Sequence, residues 1–272
     1  MKRRNIVLLL FMSMIFTCSP GSSLKWMNND SSSLLCRNCN SLDRLPSQVT
    51  WLQISDENCP LVPSEVFENS NLDTLIVYSK RVQYETVTRK TSLTAFAQPA
   101  MVMDEIPSFL KHSHDLKSLV IFLSNQGAAQ EGISYDSLKY LMLGINSVGG
   151  ELISPLLSSP VLEDLSILTQ RGTVKWPENQ KLPSSIISFK APIDLSENIG
   201  LFDGLDKLET ISIARISNLE EGLKYLSGLK ELKVLQVHEL QPEENILVHE
   251  ILPYVTRGIE AIEFLPSSWQ EH

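Results

Sequence analysis

Leu116-Lys117-Ser118-Leu119-Val120-Ile121 and, 22 residues on, Leu138-Lys139-Tyr140-Leu141-Met142-Leu143 are two copies of one pattern, apolar-x-x-apolar-x-apolar. The pattern continues in both directions. Upstream it reads Val49-Leu52-Ile54, Leu72-Leu75-Val77 and a weaker Leu93-Phe96-Gln98. Downstream it reads Leu162-Leu165-Ile167, Ile186-Phe189-Ala191, Leu208-Ile211-Ile213, Leu232-Leu235-Val237 and Ile259-Ile262-Phe264. Ten units start 21–27 residues apart, a spread too narrow for scattered leucines. Periods in this range mark a chain built from one small supersecondary unit.

The last two apolar places of each unit are two residues apart, the period of a strand, so both side chains point to one face. The first place lies where the chain enters that strand. Between strands the apolar spacing turns helical or turn-like: Val66 and Phe67, Phe109 and Leu110, Leu152 with Leu156 and Leu157, Leu201 with Phe202 and Leu205, and Leu219, Leu223 and Leu226. One such unit cannot hide its apolar edge. Stacking the next unit on it does, and burying about five aliphatic side chains per unit at ~1.5–3 kcal/mol each offsets the chain entropy. The expected fold class is therefore α/β, a solenoid with a parallel sheet on one side and helices or turns on the other. Strands pack ~4.8 Å apart and helices ~8–10 Å apart, so the stack curves with the sheet on its concave face.

These units resemble the leucine-rich repeat family. Pro63-Ser-Glu-Val-Phe67 leading to Leu72-Asp-Thr-Leu75-Ile-Val77 looks like a standard unit, as does Ile106-Pro107-Ser-Phe-Leu110 leading to Leu116-Lys-Ser-Leu119-Val-Ile121. Leu138 to Asn146 carries even the family asparagine, three residues after the last leucine. Elsewhere that place is held by Asp194, a polar stand-in, or by unrelated residues such as Glu57, Ser124 and Leu240. In the family the asparagine satisfies backbone groups in the turn. The resemblance implies a repeat domain over residues 47–268, a cap over 22–46 and a short tail at 269–272. It also implies a cysteine-bearing amino-terminal cap, with Cys36 and Cys39 just before the first unit and Cys59 after its strand. Cys59 then bridges one of the pair and leaves the other free. A zinc site is the other use of Cys36-x-x-Cys39, but no second Cys/His pair follows at ligand spacing. At the far end Leu265, Pro266 and Trp269 are placed to close the last unit.

The leader points to an address. Lys2, Arg3 and Arg4 precede an apolar run from Ile6 to Thr17, followed by Ser19, Pro20, Gly21, Ser22 and Ser23. The run is too short to cross ~30 Å of hydrocarbon. A basic head, a short apolar middle and a small-residue tail read as a secretory signal peptide over residues 1–21. Two processing routes fit. One is ordinary cleavage after Gly21. The other follows from Ile15-Phe16-Thr17-Cys18, which resembles a bacterial lipobox and implies cleavage before Cys18 and lipidation of that cysteine. The protein is expected to be secreted or held on the outer cell surface, with a lipid anchor if Cys18 is acylated.

The formal net charge of −9, with no Lys/Arg cluster past the first four residues, argues against nucleic-acid binding, which needs phosphate neutralisation. No phosphate loop and no G-x-S-x-G elbow occur. His112-Ser-His114-Asp115 is the one histidine cluster and reads as a solvated loop before the Leu116 strand. Enzymatic activity, a cofactor and a resident metal are thus not expected. The residues interleaved with the buried strand places are expected to line the concave face. They run Trp51; Thr74, Ile76, Tyr78; Ser118, Val120, Phe122; Tyr140, Met142, Gly144; and Asp164, Ser166, Leu168. Later units turn polar with Ser188, Lys190, Thr210, Ser212, Gln236 and His238. Trp51, Ile76, Tyr78, Val120, Phe122, Tyr140, Met142 and Leu168 form the expected protein-binding patch, apolar and aromatic as such patches are. The competing function is a structural envelope or matrix component that assembles through its lateral or convex surfaces.

Overall fold

The computed structural model of the chain describes residues 24–27, 32–57, 59–124, 135–145, 156–169, 173, 174, 176 and 180–255. Eleven strands form one sheet. They are β1 (Leu24–Trp26), β2 (Ser33–Cys36), β3 (Trp51–Ile54), β5 (Thr74–Val77), β7 (Ala95–Met103), β8 (Ser118–Leu123), β9 (Tyr140–Ile145), β10 (Asp164–Thr169), β11 (Ser188–Asp194), β12 (Thr210–Arg215) and β13 (Val234–Val237), side by side in chain order. β1 runs antiparallel to β2, and every later pairing is parallel. β4 (Leu61–Val62) and β6 (Gln83–Tyr84) make a separate parallel pair within the connections. Among the described residues helices are few: α1 (Ser64–Glu68), α2 (Leu219–Leu226) and α3 (Pro242–Ile251), with 3-10 turns at Cys39–Arg44, Ser108–His112, Leu156–Ser158 and Leu195–Asn198. The molecule is an α/β protein dominated by a large parallel sheet.

The register follows the apolar pattern. Leu52, Leu75, Phe96, Leu119, Leu141, Leu165, Phe189, Ile211 and Leu235 are successive Cα partners across the sheet. All are at most 1% exposed. The places two residues on, from Ile54 to Val237, are buried as well, whereas the intervening side chains in β3, β5 and β13 are half-buried. The core therefore lies on one face of the sheet. The tenth unit, Ile259-Ile262-Phe264, falls outside the described residues, as do Leu265, Pro266 and Trp269.

One rung appears that the pattern did not announce. The segment expected to be only linker and cap contains β1 and β2, and β2 pairs in parallel with β3, Leu34 beside Leu52 and Cys36 beside Ile54. Leu34 and Cys36 are buried like the apolar pairs that follow. A cysteine acts here as a small core hydrophobe, and Ser31 stands where other units carry their first apolar residue.

The connections are tied to their neighbours by serines rather than by repeated asparagines. Ser92, Ser159 and Ser185 each donate a hydroxyl to a carbonyl about one unit earlier, those of Leu72 at 2.6 Å, Leu138 at 2.7 Å and Leu162 at 2.7 Å. Each carbonyl lies just before its strand, where no ladder partner exists and a buried acceptor must find another donor. Asn71 does the same to Ser47 at 2.8 Å. Behind the sheet Phe67 stacks on Phe109 at 4.3 Å, and Tyr84 and Phe96 join them edge-on or tilted. A second run links Trp176, Phe189, Phe202 and Tyr225.

α2 starts at Asn218, whose side chain accepts from the Glu221 amide, and carries Glu220 and Glu221 in its first turn. Acids there suit the positive end of the helix dipole. Leu223 and Leu226 are buried beneath it. Gly222 has no room for a side chain, because a Cβ would come within 2.3 Å of Ile216 Cγ2. α3 opens with Pro242 after Gln241, and the Glu244 carboxylate accepts the Gln241 amide at 2.8 Å. No helix among the described residues is long and apolar enough to cross a membrane.

Candidate functional site: the outward face of the sheet

Strand alternation turns a second set of side chains away from the core, and register aligns them in rows. One row reads Trp51, Thr74, Ala95, Ser118, Tyr140, Asp164, Ser188, Thr210 and Val234. The next reads Gln53, Ile76, Ala97, Val120, Met142, Ser166, Lys190, Ser212 and Gln236. Phe122, Gly144 and Leu168 form part of a third. Tyr78 stands just past β5, where its amide donates to Ile54 O at 2.7 Å.

Seven of the eight expected patch residues, Trp51, Ile76, Tyr78, Phe122, Tyr140, Met142 and Leu168, lie on this face half-buried. Val120 does not serve as a contact: it is 2% exposed. It sits between Ala97 and Met142 in its row, with Phe122 two residues along its own strand and Tyr140 diagonal to it. Alternation sets which way a side chain points. The height of its neighbours sets whether a partner can reach it. Ser212 and Ala214, also short, are closed over in the same way at 2% and 1% exposure.

Gly144 shapes the patch. It pairs with Phe122, and a Cβ at position 144 would come within 2.1 Å of that ring. The ring therefore lies across the glycine, flat against the sheet, rather than standing away from it. Partial burial pushes the Tyr78 phenol above its ordinary pKa. The Tyr140 phenol is raised too, first by burial and then by the carboxylate of Asp164 in the next strand. Both tyrosines therefore present neutral hydroxyls across the physiological range.

Of the eighteen residues in the two full rows only Asp164 and Lys190 are charged, whereas 20% of the whole chain is. The half of the face built by β10 to β13 is hydroxyl-rich. There the Ser212 hydroxyl and His238 Nε2 lie 3.0 Å apart, a link no sequence spacing announced. Asp194 at the far end of β11 is fully buried, and its pKa is lowered. Burial works against the charge but is outweighed. The Ser217 hydroxyl and amide, Arg215 Nε at 2.8 Å and the Ser196 amide at 3.0 Å all donate to the carboxylate. Asp194 thus closes its own turn and the next one, the work expected of a polar stand-in, with Arg215 as an added partner.

At the amino-terminal end Cys39 and Cys59 form a disulfide, with Cα atoms 5.4 Å apart. Among the described residues Cys36 is the free thiol; it is buried and donates to Asn38 O at 3.2 Å. Burial pushes its pKa up, which keeps it an unreactive thiol. Unpairing the bridge by Cys39→Ser frees a loop of about twenty residues in the unfolded chain and is expected to cost ~3 kcal/mol in denaturant unfolding. Native protein should label with a maleimide at Cys36 only after unfolding; rapid native labelling would contradict its burial. Cys18 and the rest of the leader lie outside the described residues. Asp115 of the histidine cluster pairs with Lys90 at 2.7 Å. Among the described residues no group of three or more His, Cys, Asp or Glu side chains gathers as a metal site. An open groove of about 620 Å³ lies at the turns between Phe202 and Glu231, away from the patch, and the Tyr225 hydroxyl in it donates to Asp203.

No protein-family model matches the chain, and no curated protein matches it.

Proposed function

We propose that the chain is an exported leucine-rich repeat protein that works without catalysis by binding another protein on the outward, concave face of its sheet. One observation carries the reading: Tyr78, Phe122, Tyr140, Met142 and Leu168 lie only partly buried on one charge-poor face. Large apolar and aromatic side chains at accessible positions, with charge depleted around them, are what the centre of a protein interface requires. The repeat reading draws support from the chain-order strands and from the register that aligns equivalent places of nine successive units. The exported reading draws support from the leader and from the Cys39–Cys59 disulfide, a bond of oxidising compartments. Its anchoring depends on Cys18: acylation ties the protein to a membrane surface, and cleavage after Gly21 releases it.

The test is a triple variant, Tyr78→Ser, Phe122→Ser and Tyr140→Ser, made in the processed chain. Immobilised native protein is expected to retain specific proteins from the exported fraction of its source cells, and the triple variant to lose them while keeping its circular dichroism spectrum. Equal retention by both sinks the reading. In analytical ultracentrifugation the processed chain is expected to stay monomeric; growth of large species with concentration points instead to the assembling envelope component.

A further inference from the structure

The partner's chemistry can be read one step further, and this step rests on the docking role proposed above. Lys190 on β11 is exposed, lies in the same row as Met142, and among the described residues makes no ion pair. Two cations of the neighbouring strands are tied up: Arg215 binds Asp194, and Lys233 binds Glu209 at 3.0 Å. Around Lys190 stand hydroxyls, with Ser166 and Ser212 as its direct register partners and Ser188 two residues earlier on its own strand. Beside the apolar anchors there is thus one positive charge that no ion pair ties down, set among hydroxyls, with Asp164 diagonal to it on the next strand as the one carboxylate of the two rows. The chain as a whole carries −9, but at physiological salt charges beyond about 8 Å are largely screened, so the local cation decides what docks next to it.

The spacing defines a motif. Met142 and Lys190 are two strands apart, about 10 Å at ~4.8 Å per strand. A peptide in the polyproline II form advances ~3.1 Å per residue with three residues per turn, so residues three apart span about that distance and face the same way. We infer that the face recognises an extended protein segment with a large apolar residue over Tyr140, Met142 and Leu168 and an acidic residue three positions away, over Lys190. Asp164, in the neighbouring row beside Tyr140, repels a carboxylate placed one strand too early and so sharpens the spacing.

The test is selection from a displayed random dodecapeptide library against the native protein, followed by binding of selected synthetic peptides to variants. Selected peptides should carry Asp or Glu three residues from Leu, Phe or another large apolar residue, well above the frequency in the input library. Lys190→Glu, an exposed change that leaves the fold intact, should weaken them about tenfold or more. Lys190→Gln should weaken them less, and Asp164→Asn should strengthen them. Peptides displaced by Phe122→Ser and Tyr140→Ser but without acidic bias, or indifferent to Lys190→Glu, overturn this inference and leave the docking face standing. Selected peptides indifferent to all of these substitutions overturn both.

Discussion

Replacing Asp194 with alanine is expected to lower the unfolding free energy by about 3 kcal/mol, although the residue lies outside the aromatic patch. Its carboxylate is fully buried and accepts from Arg215, the Ser217 hydroxyl, and the amides of Ser196 and Ser217. Deleting it leaves the Ser196 and Ser217 amides without their acceptor; such a loss costs ~1–3 kcal/mol at a buried donor and less at Ser217, which is exposed. Arg215 is 44% exposed, so water takes up part of its lost pairing and holds the total below that of a fully buried ion pair. Asparagine retains an acceptor oxygen but turns a donor toward Arg215, and should cost about half as much. The acid dependence follows from the lowered pKa of Asp194. In the range between the folded and unfolded values the unfolded chain binds more protons, so stability rises with pH there. The contribution is fully present above the ordinary aspartate value of ~3.9 and is lost as pH falls through the lower folded value. Urea unfolding of native protein and Asp194→Asn should therefore differ at neutral pH and converge on strong acidification. A gap that stayed constant with pH would show that Asp194 is not ionised in the folded protein.

Leu141→Ala is expected to cost ~2–5 kcal/mol, the range for removing a buried leucine from a packed core. Leu141 is 0% exposed, in β9, with Leu119 and Leu165 as its register partners on either side. A cavity there is walled by both neighbours and has little room to collapse. Met142→Ala, one residue away on the other face, should cost less, because its side chain is only partly buried. Equal costs at the two positions would mean that the sheet's faces are assigned the wrong way round.

The rungs were legible because burial on one face forces the two-residue alternation that register then aligns. Even the degraded copy holds its place. Gln98 occupies a core position, fully buried, because the Tyr84 hydroxyl donates to its Oε1 at 2.5 Å and its amide lies 3.2 Å from Met101 Sδ. Tyr84 comes from the preceding connection, and nothing in spacing alone links the two. The register shift between Gln98 and Val102 in β7 was equally silent, since a bulge changes no apolar period. β2 escaped because Cys36 replaces an aliphatic residue in it and Ser31 holds the apolar place that precedes it. At the candidate site, direction was legible and depth was not. Val120 points outward as its position requires, yet its reach depends on side chains from adjacent strands and on how Phe122 lies over Gly144. The acceptor role of Asp194 could be read from its place in the unit. Its bond to Arg215 could not, because that contact depends on how β11 shifts register before Asp194.

The chain-order sheet has a kinetic consequence. From Leu52 to Leu235 each strand finds its partner 21–24 residues along the chain, never across the length of the molecule. Loop closure over such distances is cheap, and parallel sheets are slow to form chiefly when their partners are remote in sequence. A large β-rich protein is thereby relieved of the long search that usually accompanies its architecture. Its folding can begin at any adjacent pair of strands and spread outward, one neighbour at a time.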